Sequence, residues 1–147
     1  FLGDTGSYGF GAILALSGLI LYRQGLFSAP FLAVLLAYPC IDFVSAIMRR
    51  RWAGRAIFLP DNDHLHNRIH FHFQKRFRSA TLANSLTGGV IVASTSGVAI
   101  MGNVWGWLPV TSQLWSLVFV LQCIAYVLCF YLAGLGRPIS QHVVDAK

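Results

Sequence analysis

The sequence predicts an all-α fold, that of a polytopic membrane protein with about four transmembrane helices. Of its 147 residues, 56% are hydrophobic and 11% are charged, and the mean hydropathy is +0.62. A soluble domain carries roughly 25% charged residues. The apolar residues also form long continuous runs, and most charges fall in one segment between two of these runs. These three observations exclude an ordinary soluble protein.

The apolar runs give the number and limits of the predicted spans. A helix needs about 20 apolar residues to cross a bilayer. The first run is the shortest, and the second contains the ionisable Asp42 and Pro39, which we expect to kink its helix. The third and fourth runs contain no charged residue. The predicted spans are residues 7–22, 26–48, 81–101 and 114–135.

A basic loop, residues 49–78, separates the second and third predicted spans and holds eight of the eleven Lys and Arg residues. Loops rich in Lys and Arg stay in the cytoplasm. We therefore expect this loop, the segment before the first span and the C-terminal tail on the cytoplasmic side. The net charge of +6 is then explained by membrane orientation and by contact with anionic lipids or phosphate groups. It does not call for nucleic acid as a partner.

A short motif, Gly3-Asp4-Thr5-Gly6-Ser7, precedes the first predicted span. Glycines let a backbone approach a ligand closely, and free amides at a helix N-terminus suit phosphate oxygens. A carboxylate at this position would hold Mg²⁺ against the same phosphates. The pattern also fits an Asp N-cap between turn glycines, and the residues alone leave both interpretations open.

A histidine cluster lies within the basic loop, where four of the five histidines fall between residues 64 and 72. Histidine can bind a metal, donate a hydrogen bond to phosphate or exchange a proton near neutral pH. His66 and His70 would share one face of a helix, whereas His64 and His66 would share a face only in an extended segment. For His70 and His72 the alternative is an amphipathic stretch at the lipid headgroups. The neighbouring polar residues are Asp61, Asp63, Asn67 and Arg68.

Asp42 lies inside the second predicted span. An ionisable side chain is costly in lipid, so it marks a functional site or an internal salt bridge, and both interpretations are open. The predicted topology also places Asp4 and the histidine cluster on the same cytoplasmic face, although they are distant in the sequence. We therefore expect Asp4 and the histidines to share one site.

Four motifs follow one another along the first half of the chain: Gly3–Ser7, Asp42–Ser45, Arg49-Arg50 and Pro60–His66. In this order they resemble the polyprenyl-phosphate N-acetylhexosamine-1-phosphate transferases. That family includes the enzyme that moves GlcNAc-1-phosphate from UDP-GlcNAc to undecaprenyl phosphate, and the phospho-MurNAc-pentapeptide translocase. The likeness covers most of the first 80 residues, and the last two spans match only as generic helices. It implies that residues 1–147, which begin with Phe1, are the C-terminal portion of one transmembrane transferase domain.

The resemblance implies roles for individual residues. Asp4 would be the catalytic, magnesium-binding aspartate, with Mn²⁺ as the alternative ion. His64 and His66 would be the first histidines of a catalytic motif over the nucleotide diphosphate. Asn67 stands where the family commonly has the last histidine of that motif, and Asn can donate a hydrogen bond but cannot shuttle a proton. The residues expected to bind substrate are Gly3, Thr5, Gly6, Asp42, Asp63, Asn67 and Arg68.

The resemblance also implies the reaction and its setting. A sugar-1-phosphate, with GlcNAc the expected sugar, would pass from a UDP-N-acetylhexosamine to polyprenyl phosphate with release of UMP. This would be the first membrane step of a cell-envelope polysaccharide such as O-antigen. We expect the bacterial inner membrane, contact with membrane lipids and no nucleic acid, and a homodimer is left open. Two rival hypotheses are a metal transporter that uses the histidine cluster, and a non-catalytic membrane module that binds lipid or a partner through its basic loop.

Overall fold

The computed structural model describes residues 3–54, 56 and 63–135, and this part of the chain contains seven helices and no strand. The predicted all-α fold is thereby confirmed. The helices are α1 (Gly3–Arg23), α2 (Ala29–Leu35), α3 (Ala37–Trp52), α4 (Leu65–Phe77), α5 (Ala80–Ser94), α6 (Ser96–Val104) and α7 (Trp115–Gly134).

The last predicted span is one continuous helix, and the two before it are bent pairs. α7 has 20 residues and a mean hydropathy of 2.2, which is long and apolar enough to cross a membrane. α2 and α3 meet at an angle of 78°, and α5 and α6 meet at 50°. Each pair has the length and composition of one broken span. The described part of the chain therefore has one helix that could cross a membrane, or up to three if each pair is a span.

α1 covers the first predicted span but differs from the others. Its described apolar stretch, Tyr8–Arg23, is shorter than a spanning helix. Most of the described side chains of this helix are exposed, and Tyr8 is 78% exposed. A Cβ at Gly18 would lie 3.8 Å from Leu32 of α2, which marks one point of contact with the rest. The structure thus supports up to three of the four predicted spans, and the first stays a prediction.

The bend between α2 and α3 follows from Pro39, as predicted, although it lies at Leu36 rather than at the proline itself. A proline has no N–H, and its ring crowds the carbonyl four residues earlier, which here is that of Leu35. Ser96 of α6 donates its hydroxyl to this Leu35 carbonyl over 2.8 Å. The broken end of α2 is therefore stabilised by the first residue of α6, at the break of the other bent pair.

The bend between α5 and α6 has no proline to cause it. Thr95 lies at the break with φ −117° and ψ −92°, and its hydroxyl donates to the Ile91 carbonyl over 2.7 Å. From α7, the Gln122 amide donates to the carbonyls of Ser94 and Thr95 at 3.2 and 3.4 Å. Side chains therefore supply hydrogen bonds at this break, as an apolar environment requires.

Two buried clusters hold the helices together. The first joins α2, α6 and α7 through Phe31, Val34, Ala99 and Trp115. The second joins α4 to α7 through Leu65, Tyr126 and Phe130. This second cluster places the start of α4 against the middle of α7.

The predicted basic loop, residues 49–78, is partly helical. α3 continues through Trp52, four residues beyond the predicted end of the second span at residue 48, and α4 occupies Leu65–Phe77. Lys75 and Arg76 lie in the last turn of α4, where cations interact favourably with the helix dipole. The histidine cluster is thus carried by a helix and not by an open loop.

Candidate functional site

The candidate site lies where α3, the start of α4 and α7 meet, and Asp42 is at its centre. Asp42 is 7% exposed. Its Oδ2 lies 2.6 Å from His64 Nδ1, and its Oδ1 accepts from the Tyr126 hydroxyl at 2.6 Å and from the Leu65 N–H at 3.3 Å. One carboxylate thus connects three helices. It also lies at the N-terminus of α4, where negative charge is favourable.

These contacts explain how Asp42 is tolerated in an apolar helix. A buried charge is costly unless it is paired and hydrogen-bonded, and here His64, Tyr126 and the Leu65 amide supply the partners. Of the two interpretations of Asp42, the structure provides the internal pair, with His64 as the partner. Because that partner belongs to the predicted catalytic motif, the pair is also part of the candidate site.

His66 is held by a tyrosine. Its backbone N–H donates to the Tyr38 hydroxyl oxygen over 3.2 Å, and the same hydroxyl lies 2.8 Å from His66 Nδ1. His64 precedes α4 in an extended conformation, with φ −91° and ψ 152°. This conformation allows the two imidazoles to stack, with ring centroids 5.5 Å apart and planes 11° from parallel. The segment as a whole is not extended, because Leu65 and His66 already belong to α4. The two rings therefore meet across the helix start, and not in the extended segment that the prediction required.

The environment of His66 favours its neutral form. Desolvation lowers the pKa of His66 from its ordinary 6.5, and the nearby His64 and His70 lower it further. The charge of Asp42 raises this pKa, but by less than burial lowers it. His66 is therefore an uncharged hydrogen-bonding group near neutral pH.

Arg68 joins α4 to α7. Its Nε and Nη2 donate to the two carboxylate oxygens of Asp63 at 2.7 and 2.6 Å, and its Nη1 donates to the Phe130 carbonyl at 2.7 Å. The guanidinium also lies 3.6 Å from the centre of the Phe130 ring, a favourable cation–π distance. Because all three nitrogens have protein partners, Arg68 is a group that holds the helices together.

Arg49 extends the same network along α3. It donates to the Ser45 hydroxyl over 2.9 Å and to the Asp63 carbonyl over 2.6 Å. Ser45 in turn lies 3.0 Å from the Tyr126 hydroxyl. The Arg49 guanidinium lies 4.5 Å from the centre of the Phe130 ring. The two arginines and their partners therefore fix the segment just before α4.

The other predicted site residues fall into two groups. Asn67 is in the first turn of α4 and is partly buried. In contrast, the side chains of Asp4 and Thr5 lie outside the described part, although their backbone belongs to the start of α1, as does that of Gly3 and Gly6. Asp61 lies outside the described residues. The predicted meeting of Asp4 with the histidines therefore stays a prediction.

The remaining histidines differ from the stacked pair. His72 Nε2 lies 2.9 Å from the Ala133 carbonyl, which joins α4 to the end of α7. His70 Nδ1 is buried and has no hydrogen-bond partner among the described residues. Across residues 3–54, 56 and 63–135, no three His, Cys, Asp or Glu side chains are grouped so as to hold a metal ion.

Sequence reasoning did not identify Tyr38, Tyr126 and Phe130 as part of this site, and it noted Ser45 only as the end of the Asp42–Ser45 motif. The sequence carried a signal for Tyr38 and Ser45, because residues four before and three after Asp42 share its face of a helix. The sequence carried no such signal for Tyr126 and Phe130, since both belong to an apolar span. The packing of α7 brings Tyr126 to Asp42 and Phe130 to Arg68.

Comparison with known proteins adds two relatives. The probable undecaprenyl-phosphate N-acetylglucosaminyl 1-phosphate transferase of Bacillus subtilis is 33% identical over 129 residues, which cover 86% of this chain and 35% of that protein. The decaprenyl-phosphate N-acetylglucosaminephosphotransferase of Mycobacterium tuberculosis is 37% identical over 82 residues, which cover 47% of this chain and 20% of that protein. No family model and no solved structure matches the chain.

The longer alignment includes most of the chain, but the chain spans only about a third of that relative's length. The apolar helices agree with a membrane protein of this kind. The resemblance predicted from the motifs is therefore confirmed, and the chain is a relative of the polyprenyl-phosphate N-acetylglucosamine-1-phosphate transferases.

Proposed function

We propose that the protein is a membrane phosphotransferase that moves N-acetylglucosamine-1-phosphate from UDP-GlcNAc to a polyprenyl phosphate, with undecaprenyl phosphate as the expected lipid. The observation that carries this proposal is the 33% identity, over 86% of the chain, with a relative named as such a transferase. The proposal places the reaction at the cytoplasmic face of a bacterial inner membrane, as an early step of cell-envelope polysaccharide synthesis.

The chemistry explains why a site with fixed hydrogen-bonding groups is needed. An oxygen of the lipid phosphate forms a bond to the β-phosphorus of the UDP-sugar. The bond between that phosphorus and the bridging oxygen breaks, and UMP leaves with the bond's electrons. Both reactants are anionic, so electrostatic stabilisation lowers the barrier most. The stacked pair His64 and His66 is the candidate that contacts these phosphates.

The contacts of Arg68 and Asp42 favour supporting roles over direct substrate contact. Arg68 was predicted to bind substrate, but its guanidinium is already bound to Asp63 and Phe130. Asp42 was also expected to bind substrate, and its oxygens are engaged in three hydrogen bonds within the protein. In this proposal both residues hold the start of α4 in place.

Magnesium, or manganese in its place, is assigned to Asp4. The carboxylates of Asp42 and Asp63 are engaged at both oxygens by neighbouring residues, and among the described residues no three His, Cys, Asp or Glu side chains are grouped so as to hold a metal ion. Bound Mg²⁺ would neutralise phosphate charge. The proposal therefore depends on Asp4 for the metal and on the described residues for hydrogen bonding to the phosphates.

The experiment is an assay of UMP release by the natural full-length protein in membranes, with UDP-GlcNAc and undecaprenyl phosphate as substrates. We expect Mg²⁺-dependent UMP release, and we expect Asp4→Asn to lower it at least about 100-fold while membrane insertion is unchanged. The matched control is Asp145→Asn near the C-terminus, which should leave turnover unchanged. Full activity of Asp4→Asn would remove Asp4 from the metal site, and the absence of UMP release by the wild type would contradict the proposed function. A lipid-binding module would be indifferent to Asp4, since headgroup binding depends on the summed charge of the loop.

A further inference from the structure

Each of the two stacked histidines is held at its Nδ1, and the partner of that nitrogen differs between the two. Nδ1 of His64 is bound to the Asp42 carboxylate, and Nδ1 of His66 is bound to the Tyr38 hydroxyl. Both imidazoles are partly exposed, and their Nε2 atoms have no hydrogen-bond partner among the described residues. The partner of one ring nitrogen sets whether the other nitrogen carries a proton. The two Nε2 atoms can therefore differ in protonation.

For His64 the partner requires a proton on Nδ1. The Asp42 carboxylate accepts from the Tyr126 hydroxyl and the Leu65 N–H at Oδ1. At Oδ2 it faces an imidazole, which is a stronger base than a carboxylate, so the proton of that contact does not belong to Oδ2. An ionised carboxylate is an acceptor only, so the short 2.6 Å contact at Oδ2 needs a donor, which is Nδ1–H of His64. In neutral His64 the free Nε2 then carries a lone pair and can accept a proton.

For His66 the partner requires the opposite arrangement. The Tyr38 oxygen already accepts the His66 backbone N–H, and within the described residues the acceptor available to its own proton is His66 Nδ1, at 2.8 Å. Nδ1 of His66 is thus the acceptor of that bond. Neutral His66 then carries its proton on Nε2, which makes this nitrogen a donor, and burial keeps the ring neutral by lowering its pKa.

We propose that Asp42 and Tyr38 are positioning residues that give the stacked histidines opposite roles toward one phosphate group: Nε2 of His64 accepts a proton and Nε2 of His66 donates a hydrogen bond. This inference rests on the proposed function for the identity of the phosphate. A phosphate monoester has a second pKa near 6 and can therefore carry one proton on an oxygen at nearly neutral pH. Polyprenyl phosphate is such a monoester, whereas the diphosphate of a UDP-sugar has no proton of this kind. The proposal therefore assigns His64 and His66 to the lipid phosphate, and not to the nucleotide diphosphate over which the resemblance places them.

The proton balance of this arrangement is simple. The P–O–H proton of the lipid phosphate passes to Nε2 of His64, which becomes an imidazolium whose charge is balanced by Asp42. The phosphate becomes a dianion, and its oxygen is then a better nucleophile toward the β-phosphorus. His66 donates to a second oxygen of the same phosphate and orients it. The proton on His64 is released to solvent after UMP has left.

The first test reads the ring nitrogens directly and needs no turnover. The full-length protein is labelled with ¹⁵N-histidine in nanodiscs, and the signals are assigned with His64→Gln and His66→Gln. We expect a protonated Nδ1 in His64 and a protonated Nε2 in His66. The same protonated nitrogen in both rings would overturn the proposal. Because the wild type is measured, this result is independent of whether the proposed function is correct.

The second test adds each substrate separately to the labelled protein. A short-chain polyprenyl phosphate should shift the Nε2 signals of both histidines, and UDP-GlcNAc alone should shift them less. Shifts caused by UDP-GlcNAc and not by the polyprenyl phosphate would overturn the assignment to the monoester. The absence of any shift with either substrate would overturn it as well.

The third test separates positioning from structure with variants. Tyr38→Phe should protonate Nδ1 of His66 in a measurable fraction of molecules and lower kcat about tenfold, with KM for UDP-GlcNAc within about twofold. Asp42→Asn keeps a carbonyl acceptor but removes the charge, and we expect a similar loss in kcat. The control Tyr22→Phe, on the exposed face of α1, should change neither. Unchanged kcat and unchanged histidine signals in Tyr38→Phe would contradict the proposal.

Discussion

Two regions that the sequence presents as halves of one site are held in different ways. The start of α4 is bound on several sides: Asp42 holds His64, Tyr38 holds His66, and Arg68 joins Asp63 to α7. α1, which begins with the Gly3–Ser7 motif, is largely exposed and meets α2 at Gly18. The geometry of the histidine half is therefore determined by residues of this chain, whereas the side chains of Asp4 and Thr5 lie outside the described part.

This difference shows that the presence of a motif in the sequence does not reveal how the surrounding residues hold it. The His64 and His66 pair owes its geometry to Asp42 and Tyr38 of another helix. Substitutions around α4 should thus change stability and activity together. Substitutions in the middle of α1 should change stability little, and the predictions below compare the two regions in that way.

The largest expected effect is on activity at the stacked pair. In the full-length protein, His64→Ala and His66→Ala should each lower transfer about 100-fold, because in the proposed function each removes a group that contacts the phosphates. His70→Ala and His72→Ala are the matched controls, with an expected loss below about threefold. UMP release measures all four. Equal losses at the four positions would instead favour a metal-chelating segment, as the transporter hypothesis requires.

A second effect concerns the stability of α4 against α7. Arg68→Ala should lower the free energy of unfolding by about 3 kcal/mol, because it leaves Asp63 without its bidentate partner in a partly buried site. Arg23→Ala, in the last turn of the exposed α1, is the control and should change it by less than about 0.5 kcal/mol. Denaturant unfolding in detergent micelles, followed by circular dichroism, measures both. Equal effects would remove the contrast between the two regions.

The smallest effect compares two glycines. A Cβ at Gly134 of α7 would overlap Nη1 of Arg68, whereas a Cβ at Gly11 of α1 would meet nothing within 4 Å. Gly134→Ala should therefore destabilise by about 2 kcal/mol through overpacking. Gly11→Ala should be neutral or stabilise by up to about 1 kcal/mol, since alanine is the better helix former. Thermal unfolding of both variants checks this, and a destabilised Gly11→Ala would show that α1 packs against something at that face.

The sequence was sufficient for features that depend on local composition. The fourth predicted span, residues 114–135, agrees with α7 to within one residue at each end, because a continuous apolar run signals its own limits. The kink of the second span was also predictable, since Pro39 removes a backbone donor wherever it occurs in a helix. The break at Thr95 was not, because it is stabilised by Gln122 of another helix.

The candidate site was also predictable in part, from local residue composition. The histidine cluster and Asp42 stand out because polar groups are rare in this chain. The role of Asp42 was left open between function and a salt bridge, and α4 was expected to be part of a loop. Both depend on contacts between distant segments, such as that of Asp42 with Tyr126, 84 residues away.

The sequence by itself therefore determined the all-α class, the apolar segments, the short list of candidate site residues and the resemblance to polyprenyl-phosphate transferases. These properties follow from residue type and order, which need no folding to be read. Only the tertiary structure decided that Asp42 pairs with His64, that Tyr38 holds His66 and that Arg68 is committed to Asp63 and Phe130. The physical reason is that a buried polar group must find its partner nearby in space, and helix packing chooses which residues are near.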